Sequence, residues 1–245
     1  MKTDILTDFI AKYNLPSGEV EVAKWKSTGS SLIVRFSTAD ESCFGYVETH
    51  NADLPSGEYF ITDTSTLRSL LNVLGTDITV TTKELNNVPV SMHITDKKNK
   101  IAFALGDDRM AKRIRNANVE PDAADVMVSA PITPEFMTAF LKGKSALRDV
   151  STFTVWSDGS TTELIIGYEQ RSNSNRVTIA PDATIQKPLS HTSFLNQYLY
   201  DILNANKGST GVLQVVQIDG AAPFIRVHYK TPEWQATYII NKQED

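Results

Sequence analysis

The sequence is short of most features that announce a chemistry. It holds one cysteine, Cys43, in 245 residues, so no disulfide forms within the chain, and an intracellular compartment is the expected setting. No stretch reaches the run of about 18 apolar residues that a membrane span requires. Met1-Lys2-Thr3-Asp4 leads directly into an acidic amphipathic segment, so no signal peptide is expected. No segment is low-complexity. His50, His93, His191 and His228 do not stand at metal-ligand spacing from one another or from Cys43. They are expected as strand and loop histidines rather than a zinc site. A Gly-x-Ser-x-Gly elbow is missing too. Basic charge is not in excess: 24 Lys and Arg face 29 Asp and Glu, a net charge of −5. That argues mildly against a dedicated nucleic-acid binder. In a protein that holds DNA only loosely, local charge placement outweighs the total.

What is present is a repeat. Apolar residues make up 41% and charged residues 22% of the chain, an ordinary globular balance, and the length suits one large domain or two smaller ones. A block of one amphipathic helix, three short strands and two tight turns recurs four times. The helices are expected to begin near Thr3, Asp63, Thr133 and Asn196. The first carries Ile5, Leu6, Phe9, Ile10 and Tyr13 on one stripe, with Thr3 or Asp4 as cap. The second carries Leu67, Leu70, Leu71 and Leu74 and is closed by Gly75. The third opens at Thr133-Pro134-Glu135 and turns Phe136, Phe140 and Leu141 inward; the fourth uses Leu199, Ile202 and Leu203. β-branched and aromatic runs between turns supply the strands. Two halves thus share one plan, residues 1–106 and 125–245, joined by a polar linker 107–124 that carries Arg109, Lys112, Arg113 and Arg115. Helices this short cover one side of a sheet, so the expected class is α+β, with two helices on one face of antiparallel sheets in each half.

Three local patterns bear on function. Gly143-Lys144-Ser145 resembles the tail of a phosphate loop, but Thr138 stands where that loop needs glycine, and the segment has a helix pattern. Lys12, Arg68, Lys142, Lys144 and Lys207 fall on outward helix faces, with Arg148 just beyond the third helix. A solvated face is the plainer account; contact with DNA phosphates, which needs only point charges, is the other. Asp4, Asp8 and Asp201 dilute the basic signal. Ile101-Ala102-Phe103-Ala104-Leu105 shows no polar alternation. It is either a strand buried on both faces or a sheet edge that pairs with another subunit.

The order of elements resembles the DNA polymerase sliding clamps, specifically those of T-even-type bacteriophages. Phe60-Ile61-Thr62-Asp63-Thr64-Ser65-Thr66-Leu67-Arg68-Ser69-Leu70-Leu71-Asn72-Val73-Leu74 is similar in pattern and register to the second helix of that family's first domain. Glu135-Phe136-Met137-Thr138-Ala139-Phe140-Leu141-Lys142-Gly143-Lys144 is similar to the first helix of its second domain, where basic residues face DNA, and Gln235-Ala236-Thr237-Tyr238-Ile239-Ile240 fits its last strand. The resemblance covers nearly the whole chain and rests on apolar spacing.

It implies a duplicated two-domain protomer, three of which close head-to-tail into a ring with helices lining a central hole. It implies a non-enzymatic processivity factor without cofactor or metal. Its partners would be double-stranded DNA, bound without sequence preference, the replicative DNA polymerase, an ATP-driven clamp loader and two further copies of itself. Late transcription is a possible second role, and the cytoplasm of the infected bacterial host is the implied setting. DNA would meet Lys12, Arg68, Lys142, Lys144, Arg148 and Lys207. The subunit contact would join Ile101, Phe103 and Leu105 of one copy to Arg176, Val177 and Ile179 of the next. Rival readings are a clamp-fold factor acting as monomer or dimer, an enzyme with a site assembled from distant residues, and a phage interaction protein that does not encircle DNA.

Overall fold

A computed structural model of the chain describes residues 1–107, 117, 120–170 and 174–243. The basic linker residues Arg109, Lys112, Arg113 and Arg115 lie outside the described residues. The chain forms two compact units: Met1–Ala39 with Phe44–Ala117 and Thr231–Ala236, and Asp40–Cys43 with Asn118–Lys230 and Thr237–Asp245.

The first unit contains α1 (Thr3–Tyr13), β1 (Ala23–Ser27), β2 (Ser31–Ser37), β3 (Cys43–His50, from Phe44 on), β4 (Gly57–Ile61), α2 (Thr64–Leu71), β5 (Thr79–Leu85), β6 (Val88–Thr95) and β7 (Lys100–Ala104). Its strands run β4-β1-β2-β3 in one antiparallel sheet and β5-β6-β7 in another. The apolar stripe of α1 buries Leu6, Phe9, Ile10 and Tyr13, and α1 packs on α2. Beneath it Trp25 is fully buried. Its ring meets Phe9 edge-on at 5.3 Å, and its indole N–H donates to the Tyr13 hydroxyl at 3.0 Å. That bond satisfies the one polar atom that such a large buried ring brings with it.

Helix ends follow local chemistry, with two departures from expectation. Asp63 caps α2, its carboxylate accepting from Thr66 N–H at 2.7 Å, and these hydrogen bonds hold it below the usual carboxylate range. Neither Thr3 nor Asp4 caps α1, because the helix starts one residue earlier than such a cap allows; Thr3 N–H donates instead to Thr76 O at 2.9 Å. Gly75 does not close α2. The helix stops at Leu71, and Val73 and Leu74 N–H groups fold back on Leu70 and Leu71 carbonyls in a tighter turn. Gly75 donates its N–H to Asp96, whose carboxylate also receives Lys98 and Asn99 N–H groups.

The second unit contains β8 (Val126–Ile132), α3 (Pro134–Ala146), β9 (Thr152–Ser157), β10 (Thr162–Ile166), β11 (Val177–Ile179), β12 (Thr184–Ile185), β13 (Leu189–Leu195), α4 (Asn196–Ala205), β14 (Gly211–Val216), β15 (Phe224–Lys230) and β16 (Trp234–Asn241), the last from Thr237 on. Its strands run β13-β9-β10-β11 and β12-β8-β14-β15-β16. Thr133 caps α3 by accepting from Phe136 N–H at 3.1 Å, and Pro134 takes the first helical position. Phe140 meets Phe153 edge-on at 5.5 Å, and Phe153 meets Phe194 at 5.6 Å, which ties α3 to β9 and β13. Gly143 lies in this helix, not in a phosphate loop. A Cβ there would stand 3.0 Å from Ile166 Cδ1 and 3.1 Å from Val177 Cγ1, so glycine lets α3 sit close on β10 and β11.

The duplication is visible in the sheet orders. β4-β1-β2-β3 of the first unit recurs as β13-β9-β10-β11, and β5-β6-β7 recurs as β14-β15-β16. The second unit adds β8 beside β14, and β12 beyond it. β12 lies between Pro181 and Pro188 and pairs Thr184 with Ser129 and Ile185 with Val128. Two residues between prolines carry no periodicity, so this strand is set by its partner.

Candidate nucleic-acid and subunit interfaces

The basic residues named from the sequence have unlike surroundings. Lys12 is not on an outward face. It is 4% exposed, its ammonium donates to both Asp8 carboxylate oxygens at 2.7 and 2.6 Å, and it lies 4.2 Å from the centre of the Trp234 ring. Its stem covers apolar surface and its charge is met inside the unit. The helical wheel missed this because Trp234 comes from a strand more than two hundred residues away. Asp201 is likewise buried and does not dilute an exposed face.

Arg68, Lys142, Arg148 and Lys207 are exposed. Lys144 is half-buried, and its ammonium donates to Arg148 O at 3.1 Å and Val150 O at 2.9 Å. It lies in the last turn of α3, where partial negative charge favours a cation, and pins the loop that follows the helix. Lys142, Lys144 and Arg148 therefore gather at one end of α3. Lys207 sits in the turn after α4, which ends at Ala205, and Arg68 sits on α2.

The strand Ile101–Leu105 is neither buried on both faces nor simply an apolar contact surface. Ile101 and Phe103 point into the first unit's own core at 8% and 5% exposure, whereas Ala102 and Ala104 are exposed. Leu105 is half-buried, and its N–H donates to Val90 O at 3.0 Å. Small residues at 102 and 104 against large ones at 101 and 103 are an alternation that a plain apolar count does not see. β7 ends its sheet, and among the described residues no strand pairs with its outer side. The backbone edge is thus the part of β7 open to another chain, with Ile101 and Phe103 as support beneath it. β11 ends its sheet in the same way: Val177 and Ile179 are half-buried, Thr178 and Arg176 exposed.

Other sheet ends are partly taken. Gly106 N–H donates to Phe60 O on β4 at 2.7 Å, Gln243 N–H donates to Ser193 O on β13 at 2.9 Å, and β12 has two residues. β5, β7 and β11 remain.

A cavity of about 570 Å³ in the first unit is lined by Glu58, Phe60, Glu84, Val88 and Leu105 among others. Glu58 is bound by Lys24, and neither histidine nor cysteine contributes to the lining. No group of three or more His, Cys, Asp or Glu that could hold a metal ion exists among the described residues. Cys43 is fully buried, and burial, with Asp40 and Asp201 nearby, pushes its thiol up beyond the range in which a thiolate forms. No helix among the described residues is long and apolar enough to cross a membrane.

No protein-family model and no curated protein matches the chain. Among solved structures, the chain is similar to proliferating cellular nuclear antigen from Entamoeba histolytica. The TM-score is 0.66 at 11% identity, covering 99% of this chain and 96% of that one. At so low an identity the likeness is one of architecture. The α+β, duplicated sliding-clamp fold expected from the sequence is the fold of this chain.

Proposed function

We propose that this chain works as a sliding clamp: a non-enzymatic processivity factor that closes as a homotrimer around duplex DNA and tethers a replicative DNA polymerase. The premise is the fold. The observation that supports the step to a ring is that bare edge strands stand in both units, β7 in the first and β11 in the second. Two different edges on one chain make a head-to-tail contact, and such a contact either closes or grows into a filament. On this reading residues 1–106 and 125–245 are the two clamp domains and 107–124 the connector.

Exposed Arg68, Lys142, Arg148 and Lys207, with Lys144 shaping the end of α3, face phosphates. Enclosure holds the ring on DNA, so these contacts need only be weak and without base preference. A polymerase tethered to the ring meets the primer end at a raised effective concentration. The T-even-type resemblance extends the proposal to an ATP-driven loader, to phage late transcription and to the cytoplasm of an infected bacterium.

Light scattering across a dilution series tests the assembly: three chains per particle are expected. A second arm tests enclosure. The assembled ring should stay on closed circular DNA at moderate salt and slide off once the circle is cut. A particle of one or two chains at all concentrations, or equal retention on cut and closed DNA, rejects the ring.

A further inference from the structure

We propose that Arg226 is a carboxylate receptor on the face of β15 turned away from the apolar core. Glu120 of the same chain holds it closed, and an acidic side chain of a partner protein takes the place of Glu120. The site lies wholly within the second unit and does not depend on ring closure.

The strand alternates. Ile225, Val227 and Tyr229 turn into the core, and Arg226, His228 and Lys230 take the other face. Arg226 is nevertheless 3% exposed. Its Nη1 donates at 2.8 Å to Oε1 of Gln214, which stands opposite it on β14. Its Nη2 donates to Glu120 Oε2 at 2.6 Å. Its Nε–H is buried and meets no acceptor among the described residues. Nε–H and the adjacent Nη2–H lie along one edge of the guanidinium plane, an edge on which a carboxylate can seat both its oxygens. Glu120 thus fills with one oxygen an edge suited to two. The buried donor left over costs free energy that a squarely seated carboxylate recovers.

The ion pair is lopsided. Glu120 is 74% exposed, so Arg226 can be approached from the side of its carboxylate. A bond whose one partner stands in water is worth little, and a competing carboxylate displaces it at small cost. Leaving the buried guanidinium empty is the costly alternative, so exchange of one acid for another is the favoured route. The neighbours suit that exchange. Burial first, then Arg226 and Lys230, lowers the pKa of His228, and Glu120 raises it. The imidazole, with Nδ1 2.9 Å from Thr237 Oγ1, is therefore neutral at pH 7, and the face that Glu120 vacates is cationic through Arg226 and Lys230. Exposed Val212 stands opposite His228 and gives apolar footing beside the charge. These groups select a glutamate or aspartate flanked by an apolar residue on the partner chain.

The capped peptide acetyl-Val-Glu-Ala-amide, titrated into the full chain, tests this by NMR. The readout is the Arg226 Nε–H signal, identified by its loss in Arg226→Lys. The peptide should move that signal downfield, as a new hydrogen bond does, and the glutamine form of the peptide should leave it in place. Glu120→Gln removes the competing charge and should tighten the glutamate peptide about fivefold, the worth of an exposed ion pair. An unmoved Nε–H signal in the wild-type chain at the solubility limit of the peptide overturns the proposal, whether or not the variant folds. So do equal effects of the two peptides, or equal affinity of wild type and a folded Glu120→Gln chain. Sodium acetate that binds more tightly than the peptide assigns the site to a small free carboxylate and overturns the partner chain as occupant.

Discussion

If the proposed ring forms through β7, Ala102→Pro should open it while leaving the protomer folded. Leu105 N–H donates to Val90 O, and Ala104 stands opposite Ser91. Bonded and non-bonded pairs alternate along an antiparallel ladder, so Ala102 turns its N–H away from β6. Proline there removes no bond among the described residues, and an edge strand tolerates it. Across a contact with β11 it removes one donor and sets the pyrrolidine ring against the neighbouring strand. One lost hydrogen bond plus an unpaired carbonyl costs about 1.5 kcal/mol per contact. A closed trimer has three contacts, so the ring loses about 4.5 kcal/mol, roughly a 2000-fold rise in its dissociation constant. For three chains joining at once, the concentration at half-assembly moves by the square root of that, about 45-fold. Sedimentation velocity over a wide dilution range reads this shift directly, and circular dichroism checks the fold. A folded Ala102→Pro chain that assembles at the wild-type concentration refutes the pairing of β7. A charge at Phe103 is the wrong probe: that side chain is 5% exposed inside its own unit, and the substitution should unfold it.

Lys142→Ala with Arg148→Ala should lower processivity by a similar factor on any DNA sequence, most at low salt and less as salt screens the same contacts in the wild type, in a primer-extension assay with unchanged thermal stability. Lys144→Ala should instead cost about 0.5–1 kcal/mol of stability, seen in urea unfolding, because its ammonium sits in the last turn of α3 and pins the following loop. Lys12→Ala should destabilise by about 1 kcal/mol through its contacts with Trp234 and Asp8, with DNA retention unaltered; lost retention in a folded variant would restore Lys12 as a DNA contact. Asp96 is held well below its usual range, first by the Gly75 N–H and then by those of Asn99 and Lys98. Its contribution is therefore complete above an ordinary carboxylate pKa near 3.8 and fades as pH falls through the lower folded value. Asp96→Asn should flatten the acid limb of the stability profile below about pH 4.

The helices were legible in the sequence because their apolar stripes are periodic and their burial is local: Leu67 and Leu71, or Phe136 and Phe140, are spaced by one turn and buried together. Strand positions followed from β-branched runs, and the repeat gave the α+β class. Distant partners were not legible. Lys12 lies on an outward arc of the wheel, yet Trp234 and Asp8 enclose it. β12 has too few residues for any period to register. Ile101 to Leu105 left two accounts open, since the difference between alanine and phenylalanine, not between polar and apolar, marks which face is buried. Edges are the hardest to read: that β5, β7 and β11 end their sheets is a property of order among strands, and no residue in those strands encodes it alone.

Cys43 is the chain's one thiol, and it is sealed from solvent and held protonated by its surroundings. The protein is therefore silent toward maleimides and mild oxidants while folded. A cysteine placed at Ala102 or Thr178 becomes the sole reactive handle, without first removing the native one. Single-site dyes at those positions would report how far apart neighbouring edges lie, and a pair of cysteines across them would weld the assembly by a bond that a reductant reverses. Association of copies along these edges could then be gated from outside by redox chemistry alone.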